Sequence, residues 1–375
     1  MIALAITMIP ILGAIAFYLA CAWQTRAFLH SPEPPQTPLS EGISILVPIC
    51  GIDEGAWENW TSLCKQDYPH YEVLFGVVDP QDPAVPLLEK LADTFPHQVR
   101  LFIGLEPRGI NHKDSTLSYL LEAMRHEVIV FVDSDICVSP DYLQTVTAPL
   151  RDREVGMVTC AFVGRDPQFV TSALASLGRC CDFIPSALVA QALDGGLRFA
   201  VGATMAIRKS TLEKAGGLHL SRIGSDYNLG KRTAHTGDRV KLSRYLLESD
   251  TGKESLKQLW NRELRWARTI RFNRGSIYYT MIFCYGAVFC LPLLILSGFA
   301  PWAIALTLFT FALRYAQAAI AIFELNCPNL RRWLVLLPLR DLLSFAVWTI
   351  GCFGNTIYWR GRKLRIVEDG IIEPY

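Results

Sequence analysis

Apolar positions along the chain fall into two regimes. Over 43–48, 72–78, 99–103 and 127–132 they form short, nearly unbroken runs, ISILVP, EVLFGVV, VRLFI and EVIVFV. A strand buried on both faces reads this way, whereas a half-exposed strand alternates. Helix-like spacing occupies 84–95 and 114–124 between them, so the pattern predicts an α/β fold with a mostly parallel, doubly wound sheet. In such a sheet ligands gather at the carboxyl ends of the strands. The second regime is longer: 1–24 carries no charged side chain, and 278–296, 302–322 and about 334–358 are largely apolar. Each is near the ~20 residues needed to cross a hydrocarbon core. The expected organisation is a transmembrane helix over 1–26, a Pro-rich linker over 27–41, the α/β domain over 42–253, an amphipathic interfacial helix over 254–276, about three membrane segments over 277–359 and a basic tail over 360–375.

Composition sharpens this picture. A chain of 375 residues exceeds one ordinary core, and a 51% hydrophobic content favours a membrane protein. A net charge of +1 argues against a nucleic-acid partner, which demands a strongly basic surface. The 11 cysteines include no CxxC, which suits a reduced, cytosol-facing domain better than a disulfide framework. The first apolar segment lacks the basic start and small-residue cleavage site of a removed signal peptide. Arg26, and then Arg262, Arg265, Arg268, Arg271 and Arg274, place the domain on the cytoplasmic side of a multi-pass protein. Four complete crossings would carry Arg360, Arg362, Lys363 and Arg365 to the far side. The last stretch, which contains Arg340 and Asp341, is therefore expected to be re-entrant or partly interfacial, because a charge inside a membrane needs a partner or water.

The candidate chemistry follows the strands. Asp133-Ser134-Asp135 stands directly after an apolar strand, where two carboxylates can hold a hard divalent cation, Mg2+ or Mn2+; in isolation the same triplet is a solvated turn. Asp79 also ends a strand, either to reach a nucleotide or sugar or to form an Asp-Pro turn. Lys113 opens a helix, where an ammonium beside free backbone N–H groups suits a diphosphate. Asp226, near the start of a helix over about 225–234, either offsets the helix dipole or serves as a general base. From Lys257 to Arg274 arginines recur every third residue on an amphipathic helix. That helix can lie on a membrane surface and still present Arg265 and Trp266 to a diphosphate and a sugar face.

Taken in order, these pieces resemble the ceramide glucosyltransferase family (family 21, family 2-like glycosyltransferases) and its bacterial relatives, including hopanoid-associated enzymes. The resemblance runs from Gly51-Ile52-Asp53 through Gln66-Asp67-Tyr68-Pro69, Asp79 to Ala84, Gly109-Ile110-Asn111 with Lys113, Asp133, Pro140-Asp141, Arg208-Lys209, Ala215-Gly216-Gly217-Leu218 and Asp226-Tyr227 to Arg262-Glu263-Leu264-Arg265-Trp266. It implies a nucleotide-diphospho-sugar transferase (GT-A) domain inserted between transmembrane helices, and an inverting single displacement. By the same resemblance Asp226, Arg265 and Trp266 are catalytic, Asp79, Asn111, Lys113, Asp133 and Arg262 bind the nucleotide sugar, and Asp133 and Asp135 hold metal. Animal relatives commonly lack the second acid of the triplet, and Asp135 is present here. Where the family usually shows Glu-Asp, this chain has Ser225-Asp226, which removes a carboxylate beside the base.

The implied reaction moves glucose from UDP-glucose to the hydroxyl of a membrane lipid such as ceramide. Transfer of N-acetylglucosamine from UDP-GlcNAc to a hopanoid is the alternative. A processive polysaccharide synthase would need a longer membrane bundle, and an inactive sugar-binding membrane protein would be expected to have lost an acidic motif. The implied partners are a UDP-sugar, a lipid acceptor and the bilayer, with no nucleic acid and no obligate protein partner. A bacterial inner membrane is the expected location.

Overall fold

The computed structural model describes residues 2–32, 37–249 and 252–375, so part of the linker expected over 27–41 lies outside the described residues. The chain divides into two compact units. α1 (Ile2–His30) belongs to a helical unit. A sheet unit then runs through β1 (Ile43–Ile49), α2 (Ala56–Cys64), β2 (Tyr71–Val77), α3 (Val85–Thr94), β3 (Val99–Ile103), α4 (His112–Ala123), β4 (Val128–Val132), β5 (Ile136–Cys137), α5 (Tyr142–Thr147) and β6 (Val155–Gly164). α6 (Val170–Leu177) and α7 (Ile184–Leu193) return to the helical unit, and β7 (Thr204–Arg208), α8 (Lys209–Lys214), α9 (Ser225–His235) and β8 (Arg239–Ser249) complete the large sheet. The helical unit resumes with α10 (Leu256–Arg274), α11 (Gly286–Leu296), α12 (Pro301–Glu324), α13 (Leu337–Gly351) and β9 (Thr356–Trp359). The sheet unit ends with β10 (Arg362–Ile366) and β11 (Ile372–Pro374).

The large sheet has eight strands in the order β3-β2-β1-β4-β7-β6-β8-β5. β1 pairs in parallel with both β2 and β4, and β7 joins β4 antiparallel. The four strands legible as apolar runs are thus β1 to β4, and their continuous hydrophobicity has the expected cause: all five residues of β4 are buried. Each such side chain contributes about 1.5–3 kcal/mol on leaving water. β6, β7 and β8 were not singled out in the sequence, and β8 breaks the apolar pattern with four charged side chains, Arg239, Lys241, Arg244 and Glu248. The chain leaves β1 toward β2 on one side and returns to β4 on the other. The carboxyl ends of β1 and β4 therefore flank a topological switch point, the crevice where open α/β sheets bind ligands.

Two boundaries differ from the expected organisation. Residues 166–193, expected inside the α/β domain, belong to the helical unit, where Leu174 and Ala175 pack with Leu259. They escaped notice because two short helices are spliced by a π-helical segment, Gly178–Phe183. The tail Arg360–Tyr375, expected as a separate basic segment, folds with the sheet unit, where β10 and β11 pair antiparallel.

Within the helical unit, four helices among the described residues are long and apolar enough to cross a membrane: Ile2–His30, Val170–Leu193, Pro301–Glu324 and Pro328–Gly351. Leu256–Cys284 and Gly286–Leu296 form a further pair bent by 55°. Ile11 of α1 packs with Cys290, Leu293 and Ala303. The buried charges of Arg314, Asp341, Arg340 and Glu263 are paired, as apolar surroundings require. Arg314 donates to Asp341 at 2.7 Å and to Asp182 at 2.6 Å, while Arg340 meets Glu263 at 2.5 Å and Asp182 at 3.3 Å.

Candidate functional site

The carboxyl edge of the sheet collects most of the residues singled out in the sequence. Asp133 follows β4, and its backbone N–H donates to Ala203 O at 3.1 Å, just ahead of β7. Lys113 Nζ, in the first turn of α4, donates to Asp133 Oδ1 at 2.5 Å, and the two side chains are 26% and 34% exposed. Burial pushes the Lys113 ammonium down, but Asp133 and Asp226 outweigh it and hold the group above its ordinary value. Lys113 is therefore a fixed cation at a sheet edge, aligned with the start of a helix.

Asp226, half-buried in the first turn of α9, reaches the same place through a close approach. A Cβ added at Gly202 would stand 2.6 Å from Asp226 Oδ2, so only glycine lets the carboxylate lie against this backbone. The Gly202 carbonyl in turn lies 3.5 Å from Lys113 Nζ. Gly202, unremarked in the sequence, thus links the cation to the proposed base; its signal was a lone glycine in VGATM, one residue before the segment that enters β7. Gly202→Ala is expected to displace the Asp226 carboxylate and lower turnover by about tenfold to 10²-fold. Wild-type turnover in this variant, measured beside its thermal melting, would contradict the close-packing argument.

Asp135 Oδ2 accepts from Ser249 Oγ at 3.0 Å at the end of β8. Ser134 Oγ donates to Asp53 Oδ2 at 3.3 Å, joining the loop after β1 to the loop after β4 across the switch point. Asp133 and Asp135 are hard oxygen donors at one strand end. That donor chemistry fits a divalent cation that also takes phosphate oxygens and water. Among the described residues no group of three or more His, Cys, Asp or Glu is placed to hold a metal.

Two expected donor-binding residues serve the protein first. Asn111 is 1% exposed, and its side chain is spent internally. Its Nδ2 donates to Asp114 Oδ2 at 2.8 Å and to Arg222 O at 2.9 Å, and its Oδ1 accepts from Asp114 N–H at 3.2 Å. Asn111, expected as a donor-binding residue, caps α4 and ties it to the 220–224 loop. Asp79 is exposed after β2, and its Oδ1 accepts from Gln81 N–H at 2.9 Å, the Asp-Pro turn geometry. Its neighbour Asp82 accepts from Gly51 N–H at 2.8 Å, so this turn also braces the loop after β1.

Arg262, Arg265 and Trp266 lie on α10 in the helical unit. Arg262 forks onto Glu254 at 2.5 and 2.8 Å and stacks 5.5 Å from the Trp266 ring centre, while Arg265 stands 5.5 Å from the Trp359 ring. Arg262 is thereby committed to an ion pair that the sequence did not indicate. Arg268 donates to the Thr356 and Phe353 carbonyls, and Arg271 donates to Gly351 O at 2.8 Å. Part of the basic face of α10 thus closes the chain segment after α13.

Several known proteins are similar to this chain. Ceramide glucosyltransferase 3 of Caenorhabditis elegans is 23% identical over 356 residues, covering 89% of this chain and 74% of that protein. Ceramide glucosyltransferase 1 of the same organism is 24% identical over 243 residues, covering 64% of this chain but only 51% of that protein. In fold, the chain is similar to a mannosyltransferase from Pyrobaculum calidifontis solved with GDP-Man and Mn2+, at a TM-score of 0.56 and 18% identity, covering 94% of this chain and 99% of that one. The model of glycosyl transferase family 21 matches residues 6–372, and the chain belongs to that family.

Proposed function

We propose that the protein transfers glucose from UDP-glucose to the primary hydroxyl of a membrane lipid of the ceramide type, with inversion at the anomeric carbon. The observation that carries this reading is the cluster of Lys113, Asp133, Gly202 and Asp226 at the carboxyl edge of the sheet: a cation and a carboxylate set against each other across one backbone segment. The donor diphosphate lies against Lys113 at the start of α4, where helix N–H groups favour an anion. Asp226 takes the proton of the acceptor hydroxyl as its oxygen bonds to the anomeric carbon. The bond from that carbon to the diphosphate breaks, and UDP leaves with the electron pair. A divalent cation held by Asp133 and Asp135 would supply neutralisation of the leaving diphosphate. Arg265 and Trp266 are proposed to contact the donor's diphosphate and sugar.

A lipid acceptor accounts for the helical unit, because its tails stay in an apolar phase while its hydroxyl is presented to the aqueous side. Since Arg360–Tyr375 folds with the sheet unit, residues 253–359 are proposed to cross the bilayer an even number of times. The stretch 328–351 then lies at the interface or re-enters. With the sheet unit in the cytoplasm, this gives an integral protein of a bacterial inner membrane.

The decisive test incubates detergent-purified protein with UDP-glucose, UDP-GlcNAc and other labelled donors against ceramide, diacylglycerol and a hopanoid, and reads the products by mass spectrometry. Glucosylceramide is expected; a product only from UDP-GlcNAc and the hopanoid, or none, would overturn the reading. EDTA is expected to lower turnover by at least about tenfold, and Mg2+ or Mn2+ to restore it. Activity indifferent to the chelator would remove Asp133 and Asp135 from the metal role.

A further inference from the structure

Behind Asp226 lies a carboxyl group that the proposed mechanism does not use. Asp114 sits in the first turn of α4, directly after Lys113, yet it is 1% exposed. One oxygen, Oδ1, accepts from Ser225 Oγ at 2.9 Å, and Ser225 is the first residue of α9, immediately before Asp226. The other, Oδ2, accepts from Asn111 Nδ2 at 2.8 Å. The same Asn111 amide donates to Arg222 O, two residues ahead of the left-handed Gly224 that caps α9. Both ends of one buried carboxyl group are thus occupied, one by each helix start.

We propose that Asp114 is a positioning residue for Asp226: through Ser225 and Asn111 it clamps the first turn of α9 to the first turn of α4, setting the proposed base at a fixed separation from Lys113. The clamp rests on the assignment of Asp226 as base, and it is a device the linear sequence conceals. An acid in the first turn of a helix ordinarily offsets the dipole in solvent. Here it is drawn inside, and a serine beside the base reaches it from another element.

The surroundings add a pH dependence. Burial pushes the Asp114 carboxyl up to about 7; Lys113 on its own helix and Ser225 and Arg232 on α9 pull it down, while Asp226 on α9 pushes it further up. Arg222, in the loop packed against both helices, and His219 face Arg232. As pH rises through about 7, Asp114 ionises, and the carboxylate accepts the hydrogen bonds from Ser225 Oγ and Asn111 Nδ2 more strongly, which tightens the clamp. Turnover should therefore step up across that range. The linkage to stability runs the other way. A folded-state value above the unfolded one means that this group stabilises the fold most at acid pH and loses that contribution as pH rises toward 7.

The test uses the full chain in detergent with UDP-glucose and a short-chain ceramide, alongside hydrogen–deuterium exchange of the first turn of α9. Asp114→Ala and Ser225→Ala cut the clamp from its two sides, and Asp114→Asn keeps the hydrogen-bonding positions while removing the charge. Both alanine variants should speed exchange over 225–229 and lower kcat by about tenfold to 10²-fold, with the donor KM within about threefold. Asp114→Asn should restore near-native exchange and part of the turnover, while its pH profile loses the step near 7. Unchanged exchange in both alanine variants would overturn the clamp. Faster exchange with unaltered kcat and pH profile would overturn the positioning role while leaving the reaction intact. If wild-type protein transferred no sugar, the proposed function would fall, and exchange would still decide whether the clamp exists.

Discussion

Replacement of Asp226 by Asn should reduce sugar transfer by about 10²- to 10⁴-fold while leaving donor affinity nearly unchanged. The carboxylate is half-buried, and its Oδ2 is packed against the Gly202 backbone, so asparagine fits the same space and removes only the proton acceptor. In the proposed reaction donor binding is assigned to other groups, chiefly the Lys113 ammonium at the start of α4, which is paired with Asp133. The kinetic signature is a fall in kcat with the donor KM held, because the lost interaction is made only as the acceptor oxygen attacks. Single-turnover assays beside equilibrium titration with UDP separate the two quantities. An Asn variant retaining more than about a tenth of wild-type turnover would assign the proton to another acceptor.

Removal of Arg360–Tyr375 is also expected to lower turnover, although none of these residues belongs to a catalytic motif. Arg362 Nη1 donates to Ile110 O at 2.9 Å, one residue from the Asn111 cap of α4. On the other side, Ile372 N–H donates to Ser221 O at 2.9 Å and Ile223 N–H donates to Gly370 O at 2.9 Å, just before the Gly224 turn into α9. One short segment therefore braces both loops that deliver Lys113 and Asp226. Without it the two helix starts lose their shared support. A misplacement near 1 Å at a reacting centre costs about 10²-fold. Chain ending at Trp359 should keep its helical unit but show rapid amide exchange over 109–112 and 220–226 and at least about a tenfold loss of turnover. Normal turnover after truncation would make the segment an ornament of the fold.

The edges of this site were partly legible in sequence. Asp133 and Asp135 stand after a strand apolar at every position, and Asp79 after another, because parallel strands buried on both faces announce their ends clearly. Lys113 and Asp226 were readable as helix-start residues. The work of Asn111 was not, since a polar side chain at a helix start has the same letters whether it meets ligand, solvent or a neighbouring loop; its partner Arg222 is 111 positions away. Arg262 likewise reads as part of a motif, and its ion pair with Glu254 depends on how the chain enters α10. The splice of α6 and α7 through a π-helical turn hid a long apolar element that its two short parts did not suggest.

By itself, the sequence determined the parallel half of the sheet, the apolar segments, the order of the acidic motifs and the family. These are local or nearly local: unbroken hydrophobicity reports burial on both faces, and motif order survives any arrangement in space. Tertiary structure decided which polar groups face one another. It turned Asp114 from a surface acid into a buried tie between two helix starts, set Gly202 where an added Cβ would meet the Asp226 carboxylate, and brought the last sixteen residues back onto the sheet unit. Burial and pairing are properties of separations in space, and no periodicity along the chain encodes them.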